Sequence, residues 1–134
     1  MTLRITLRDG EQMVVNGAVL RAGRRCDLII ENPAAILRGR EIMTPGEANS
    51  PARRLYLACM MAYIDDRHRV AHHDDVVARL SELLDAFETE PAKLACTQFA
   101  HLIATGEYYR ALAACRSLIA YEAEALGRLQ NVAA

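Results

Sequence analysis

Thr44-Pro45-Gly46-Glu47-Ala48-Asn49-Ser50-Pro51 divides this 134-residue chain into two parts with different hydrophobic periods. Two prolines and a glycine within eight residues interrupt any regular element. The end of the stretch also starts a helix, because Ser50 can accept from the first free N–H groups and Pro51 suits the first helical position. Upstream the apolar residues alternate, and downstream they recur every three or four positions. The reading is therefore α+β. A β-rich part, 1–47, forms a short antiparallel β-meander of about five strands, packed on a bundle of about four helices, 48–134.

Working back from the connector, Leu3, Ile5 and Leu7 alternate with Thr2, Arg4, Thr6 and Arg8, the period of a half-buried strand. Asp9-Gly10 and Asn16-Gly17 are two-residue hairpin signals, so the spacing predicts a meander through Gln12 to Val15 and Ala18 to Arg21. In that meander Ile5, Val14 and Val19 share one face, with Met13 and Leu20 on the other. Cys26 to Glu31 alternates again, Asn32-Pro33 ends it, and short pieces near residues 35–37 and 40–43 complete the set. A part of about 45 residues buries too little surface to stand alone, so one face is expected to rest on the helices.

Working forward, the first helix runs to about Ile64, with Leu55, Cys59 and Tyr63 on its buried stripe. Polar residues 65–73 are read as a break, and the second helix as starting at Asp74 or Asp75. Its inward face is Val76, Leu80, Leu83, Leu84 and Phe87. Thr89-Glu90-Pro91 opens a third helix, with Ala95, Phe99, Leu102 and Ile103 inward, which Thr105-Gly106 closes as a glycine cap. A fourth helix extends from Glu107 to about Gln130, carrying Tyr108, Leu112, Cys115, Ile119 and Leu126 at helical spacing.

Composition bounds the function. A hydrophobic fraction of 52% with 25% charged residues is that of a folded globular chain. The first residues carry charge too often for a signal peptide, and no run approaches the roughly 18 apolar residues of a membrane span. A cytoplasmic protein with no membrane association is expected. Cys26, Cys59, Cys96 and Cys115 form no C-x-x-C pair, so reduced, buried thiols are expected rather than a zinc or redox motif. No nucleotide-binding, nucleophile-elbow or metalloprotease signature occurs, which points to a non-enzymatic protein with no cofactor. His68, His72, His73, Asp74 and Asp75 are the nearest approach to a metal site, and the alternative reading of that stretch is a solvated inter-helix segment.

The net charge of −1 hides an asymmetry. Residues 1–54 hold nine basic groups, all arginine, against six acids: Arg4, Arg8, Arg21, Arg24, Arg25, Arg38, Arg40, Arg53 and Arg54. Guanidinium offers a planar fork for phosphate oxygens and a flat face for a base, so these nine are the candidate RNA-binding residues. Every aromatic residue lies in the second part, so the sheet by itself offers no stacking platform of the kind single-strand RNA readers use. The alternative reading is a solvated strand face paired with Asp27, Glu31 and Glu41. In the acidic helical part, Tyr108, Tyr109, Arg116 and Tyr121 are the candidate partner-binding residues, on a last helix long enough to expose one side.

Several blocks together resemble the FlbT family of flagellar biosynthesis repressors. They are Leu7-Arg8-Asp9-Gly10-Glu11, Val15-Asn16-Gly17-Ala18-Val19-Leu20, Glu31-Asn32 and Arg38 to Met43. Ser50-Pro51-Ala52-Arg53-Arg54-Leu55-Tyr56, Gly106 to Leu112 and Leu118-Ile119-Ala120-Tyr121-Glu122 follow in the same order. The resemblance covers most of the chain. It implies a post-transcriptional regulator that binds the 5′ untranslated leader of flagellin mRNA, represses translation and promotes decay of the message. It also implies work alongside FlaF, a small helical partner, and implies no catalysis. A protein-only adaptor that binds flagellin or FlaF, with indirect RNA association, is the rival expectation. Whether the chain forms a homo-oligomer is left open by the sequence.

Overall fold

The alternation of residues 3–7 becomes β1 (Leu3–Leu7), followed by β2 (Gln12–Val15), β3 (Ala18–Arg21), β4 (Cys26–Ile30) and β5 (Ile36–Arg38). In this computed structural model, which describes residues 2–133 and side chains through Leu129, four helices follow. They are α1 (Pro51–Ile64), α2 (Arg69–Ala86), α3 (Glu90–Ala104) and α4 (Tyr108–Ala133). Single turns of 3-10 helix stand at Gly39–Glu41, Pro45–Glu47 and Asp66–His68. The α+β class read from the two hydrophobic periods is the observed one.

The strands form two small sheets. Asn16-Gly17 makes the predicted hairpin, with both residues at positive φ (49° and 87°) and Val14 opposite Val19. The Asp9-Gly10 turn also forms, Glu11 N donating to Arg8 O at 3.0 Å, but it does not join a hairpin. Instead β1 pairs with β4 (Ile5 opposite Leu28), and β2 pairs with β3 and β5 in the order β3-β2-β5. The physical reason lies in β2 itself. Met13 is 0% exposed and Val14 4%, so the strand is buried on both faces and needs a layer on each side. Folding β1 over β2, rather than beside it, supplies one of them.

Two cores follow from this layering. Met13 packs with Ile5, Leu7 and Ala22 between the sheets, with Leu28, Ile30 and Ile36 closing the edges. Val14 and Leu37, on the opposite face, join the main core of Leu55, Cys59, Val76, Phe99 and Leu118. Ile5 and Val14 therefore belong to different cores, not to the shared face expected of a meander. Val19 is 65% exposed on the outer strand β3.

The helices begin and end largely where capping chemistry dictates. Ser50 Oγ accepts from Arg53 N at 3.3 Å, and Pro51 takes the first helical position. Gly106, at φ +75°, ends α3, with Gly106 N donating to Ile103 O and Glu107 N to Leu102 O, a Schellman closure. Helix α2 departs from the sequence reading, because it starts at Arg69 rather than at Asp74 or Asp75. The polar stretch is held partly from within and partly by α1: His68 and His72 both contact Asp65, and Arg69 Nε donates to Ala62 O at 2.8 Å at the end of α1. Of the residues assigned inward, Val76, Leu83, Phe87, Ala95, Phe99 and Ile103 are buried, whereas Leu84 and Leu126 are exposed. No helix among the described residues is long and apolar enough to cross a membrane.

Helix α1 is the hub. Gly17 meets its last turn so closely that a Cβ there would lie 3.2 Å from Ile64 O. Tyr63 Oη accepts from Ile36 N at 3.3 Å, and Tyr56 Oη donates to Glu41 O at 2.7 Å. At its N-terminus Ala52 N donates at 2.7 Å to the carboxylate of Glu122 on α4, a side chain only 8% exposed. All four thiols are free; Cys59, Cys96 and Cys115 are buried and Cys26 half-buried. Burial pushes the Cys59 thiol up to about 12. Replacing Glu122 with alanine strands a buried N–H and removes a negative charge from a helix N-terminus. Glu122→Ala is expected to lower unfolding free energy by about 1–3 kcal/mol, read from urea denaturation by circular dichroism. An unchanged midpoint would contradict the hub role of this contact.

Candidate nucleic-acid interface

The register of the outer sheet gathers arginines at one end of the β layers. One residue beyond the last pair, Leu7 with Cys26, stand Arg8 and Arg25. The neighbouring turns are tied there: Gly10 N donates to Ala22 O at 2.8 Å and Ala22 N to Glu11 O at 2.9 Å. Arg21 at the end of β3 and Arg24 in the following turn meet Arg8 and Arg25 at this end, and all four are exposed. Asp9 and Glu11 share the region, but Glu11 Oε1 already accepts from Arg8 N at 3.0 Å. Among the described residues, none of these four guanidinium groups forms an ion pair. Four exposed guanidinium groups without ion pairs thus stand on adjoining turns against the two carboxylates of Asp9 and Glu11, a local excess of positive charge.

The remaining arginines are distributed. Arg4 stands on the outer face of β1, exposed, beside the Thr6–Asp27 hydrogen bond of 2.7 Å. Arg40 is exposed in the 39–41 turn, and Arg53 and Arg54 lie in the first turn of α1. Arg38 differs from all of these. It points between the two sheets, where one guanidinium nitrogen donates to Thr6 O at 3.1 Å and lies 3.9 Å from Glu11. Its Nε is buried without a partner. Arg38 fastens sheet to sheet, and the structure does not bring it to the open arginine end.

The four partner-binding candidates do not share one surface either. Tyr108 is half-buried beside α2, its hydroxyl 2.7 Å from His73 Nδ1 and its ring 5.9 Å from the Arg69 guanidinium. Tyr109 donates to Glu41 Oε2, a bond that pushes its phenol up to about 12, and its ring lies 5.4 Å from that of Tyr63. Arg116 reaches the same cleft, 6.0 Å above the Tyr56 ring. Tyr121 lines a separate groove of about 250 Å³ with Phe87, Ala125 and Leu129. The sequence placed Tyr63 on the buried stripe of the first helix and Glu41 opposite the arginines, and assigned neither of them, nor Tyr56, to this cleft. The two tyrosines signalled it only through a hydroxyl on an apolar stripe.

The histidine stretch disperses. His68 and His72 share Asp65, whose carboxyl is held below the usual carboxylate range first by the His72 contact. His73 turns to Tyr108 and Asp75 to Arg79, 3.0 Å away. Among the described residues no three His, Cys, Asp or Glu side chains converge as a metal site would require.

Fold and surface thus define a small α+β protein whose open arginines and tyrosines line turns and shallow clefts. Comparison with known proteins places it more closely. Residues 3–126 match the family model described as "Flagellar protein FlbT". The "Probable flagellum biosynthesis repressor protein FlbT" of Caulobacter sp. (strain K31) is 35% identical over 130 residues, 96% of this chain and 99% of that protein. The "Flagellum biosynthesis repressor protein FlbT" of Caulobacter vibrioides (strain ATCC 19089 / CIP 103742 / CB 15) is 35% identical over 132 residues, 98% of this chain and 94% of that one. A "Probable flagellum biosynthesis repressor protein FlbT" of Brucella anthropi is 31% identical, covering 93% of this chain and 82% of its own. The chain belongs to the FlbT family. No solved structure matches it.

The contrast between Arg38 and the open arginines is measurable. Arg38→Ala, which breaks the link between the sheets, is expected to cost about 1–3 kcal/mol in urea unfolding. Arg4→Ala should stay within about 0.5 kcal/mol of the parent. Equal effects of the two substitutions would count against the structural assignment of Arg38.

Proposed function

We propose that the chain is a regulator of flagellum synthesis acting after transcription, and that it binds the 5′ untranslated leader of flagellin mRNA through the arginine end of its β layers. The observation that carries this reading is the set of open guanidinium groups of Arg8, Arg21, Arg24 and Arg25 on adjoining turns. The repressor names of the relatives support the coarser part, a regulator of flagellum synthesis. A protein of this size lying on a leader blocks ribosome access by occupancy alone, and a message left untranslated is open to decay. No catalytic step is needed. Cytoplasmic residence follows from where the message is.

A second reading has its own observation. The groove beneath Tyr121, lined by Phe87, Ala92, Ala125 and Leu129 together with Glu88 and Arg128, offers about 250 Å³ for an apolar anchor side chain of a partner, beside the exposed Leu126 of α4. In that reading the chain is a protein-only adaptor for flagellin or a FlaF-type partner, and RNA associates indirectly.

A gel shift with purified protein and flagellin leader RNA separates the two. Direct binding gives log affinity falling linearly with log salt, by about 0.7 for each phosphate neutralised. Arg24→Glu with Arg25→Glu should weaken retention at least about tenfold and flatten that slope by about 1.4. Both residues are exposed in a turn, so the variant keeps the parent's circular dichroism. Retention unchanged by the double reversal would remove the arginine end as the site. Failure to retain leader RNA at low salt, with capture of purified FlaF or flagellin, would establish the adaptor reading instead.

A further inference from the structure

We propose that the cleft between the 39–41 turn and the first turns of α4 is a stacking subsite for an unpaired base of single-stranded RNA. The proposal rests on the RNA reading above and adds to it the element the β layers lack. They carry no aromatic side chain. The fold supplies one from the far end of the sequence.

Glu41 organises the cleft. Its backbone carbonyl accepts from Tyr56 Oη at 2.7 Å, its Oε1 accepts from Arg38 N at 2.9 Å, and its Oε2 accepts from Tyr109 Oη. Both carboxylate oxygens are thus engaged within the protein. The Tyr109 phenol, raised to about 12, stays protonated and keeps donating throughout the physiological range. With its hydroxyl fixed and Tyr63 behind it at 5.4 Å, the Tyr109 ring is held in one orientation while remaining 47% exposed. Opposite, the Arg116 guanidinium lies 6.0 Å above the Tyr56 ring, a second flat group on the same cleft. The cleft is open to solvent, holds about 390 Å³ and is lined also by Leu112 and Ala113.

The charge selects the occupant. Among the described residues lining it, Glu41 is the one acid and its carboxylate is already engaged, while Arg116 has no carboxylate partner and Arg110 is paired with Glu107 at 3.1 Å. Arg40 precedes Glu41, and Arg53 stands one turn before Tyr56 on α1. A site with a fixed phenol ring and the guanidinium plane of Arg116 on the same cleft suits a base attached to phosphates. Unstacked RNA bases are held on such aromatic and guanidinium planes, and every base has a face to offer. A basic partner would be repelled.

The test uses full-length protein and a single-stranded leader oligonucleotide carrying 2-aminopurine, whose fluorescence is quenched on stacking. The parent protein is expected to quench it. Tyr109→Phe keeps the ring and loses only the bond to Glu41, so it should quench as well and bind within about twofold. Tyr109→Leu should abolish the quenching and weaken binding about tenfold, with the salt slope unchanged because no charge is removed. If Tyr109→Leu binds and quenches like the parent, the subsite is overturned while the arginine end stands. Equal losses in the Phe and Leu variants would show that the hydroxyl tie to Glu41, and not the stacking ring, is what matters, and would also overturn it. If Tyr109→Leu leaves RNA binding intact and instead loses purified FlaF or flagellin, the cleft is a protein site. A parent protein that never binds the oligonucleotide defeats the RNA reading and this subsite together.

Discussion

The carboxylate of Glu122, buried against the N-terminus of α1, is the contact on which the rest of the arrangement depends. Taking a charge out of water is costly unless it meets fixed donors, and the first turn of a helix offers both N–H groups and the positive end of the peptide dipoles. The bond joins residues separated by 70 positions and sets α4 along α1. Cys115 reinforces the join, its thiol donating to Ala52 O at 3.7 Å. From α1 the constraint passes to the β layers through three contacts: Gly17 against Ile64, Tyr63 with Ile36, and Tyr56 with Glu41. The β layers are therefore placed on the helices by contacts along α1 that use backbone groups and tyrosine hydroxyls.

Local chemistry made much of this legible in the sequence. Asn16-Gly17 has one conformation it favours strongly, and Ser50-Pro51 and Thr105-Gly106 each cap a helix through groups within a few residues. What escaped the reading depended on partners distant in the chain. A tight turn at Asp9-Gly10 says that the chain reverses, not whether the next strand lies beside or beneath the last. That choice was made by Met13 and Val14 both needing cover. Residues 65–73 read as a break because their polarity was visible, whereas the local ties that fold them, His72 to Asp65 and Arg69 to the last carbonyls of α1, appear only once the backbone turns at Asp65.

The candidate site followed the same division. Composition identified the arginine-rich, aromatic-free part, and sheet register then sorted its members: Arg8, Arg21, Arg24 and Arg25 at an open end, Arg38 between the layers. Helical spacing already separates Tyr108 from Tyr109, since consecutive positions diverge by about 100°, but which cleft each of Tyr108, Tyr109 and Tyr121 lines depends on the neighbours packed beside it. Nor could it show that Glu41, from the β part, would choose Tyr109 from the helical part. The two parts are coupled at that point by a side-chain bond between residues 68 positions apart.

Strand β3 carries a different implication. All four of its residues are exposed, and among the described residues it pairs only with β2, leaving one row of backbone donors and acceptors open. An open edge invites pairing with another copy of itself, and proteins curb this by shortness and by charge at the strand's end. Here the edge is four residues long, closed by a hairpin at Gly17 and by Arg21. That is too short a template for a stable extended ladder. Shortness and the charge of Arg21 thus leave this edge a poor seed for strand-to-strand association between copies of the chain.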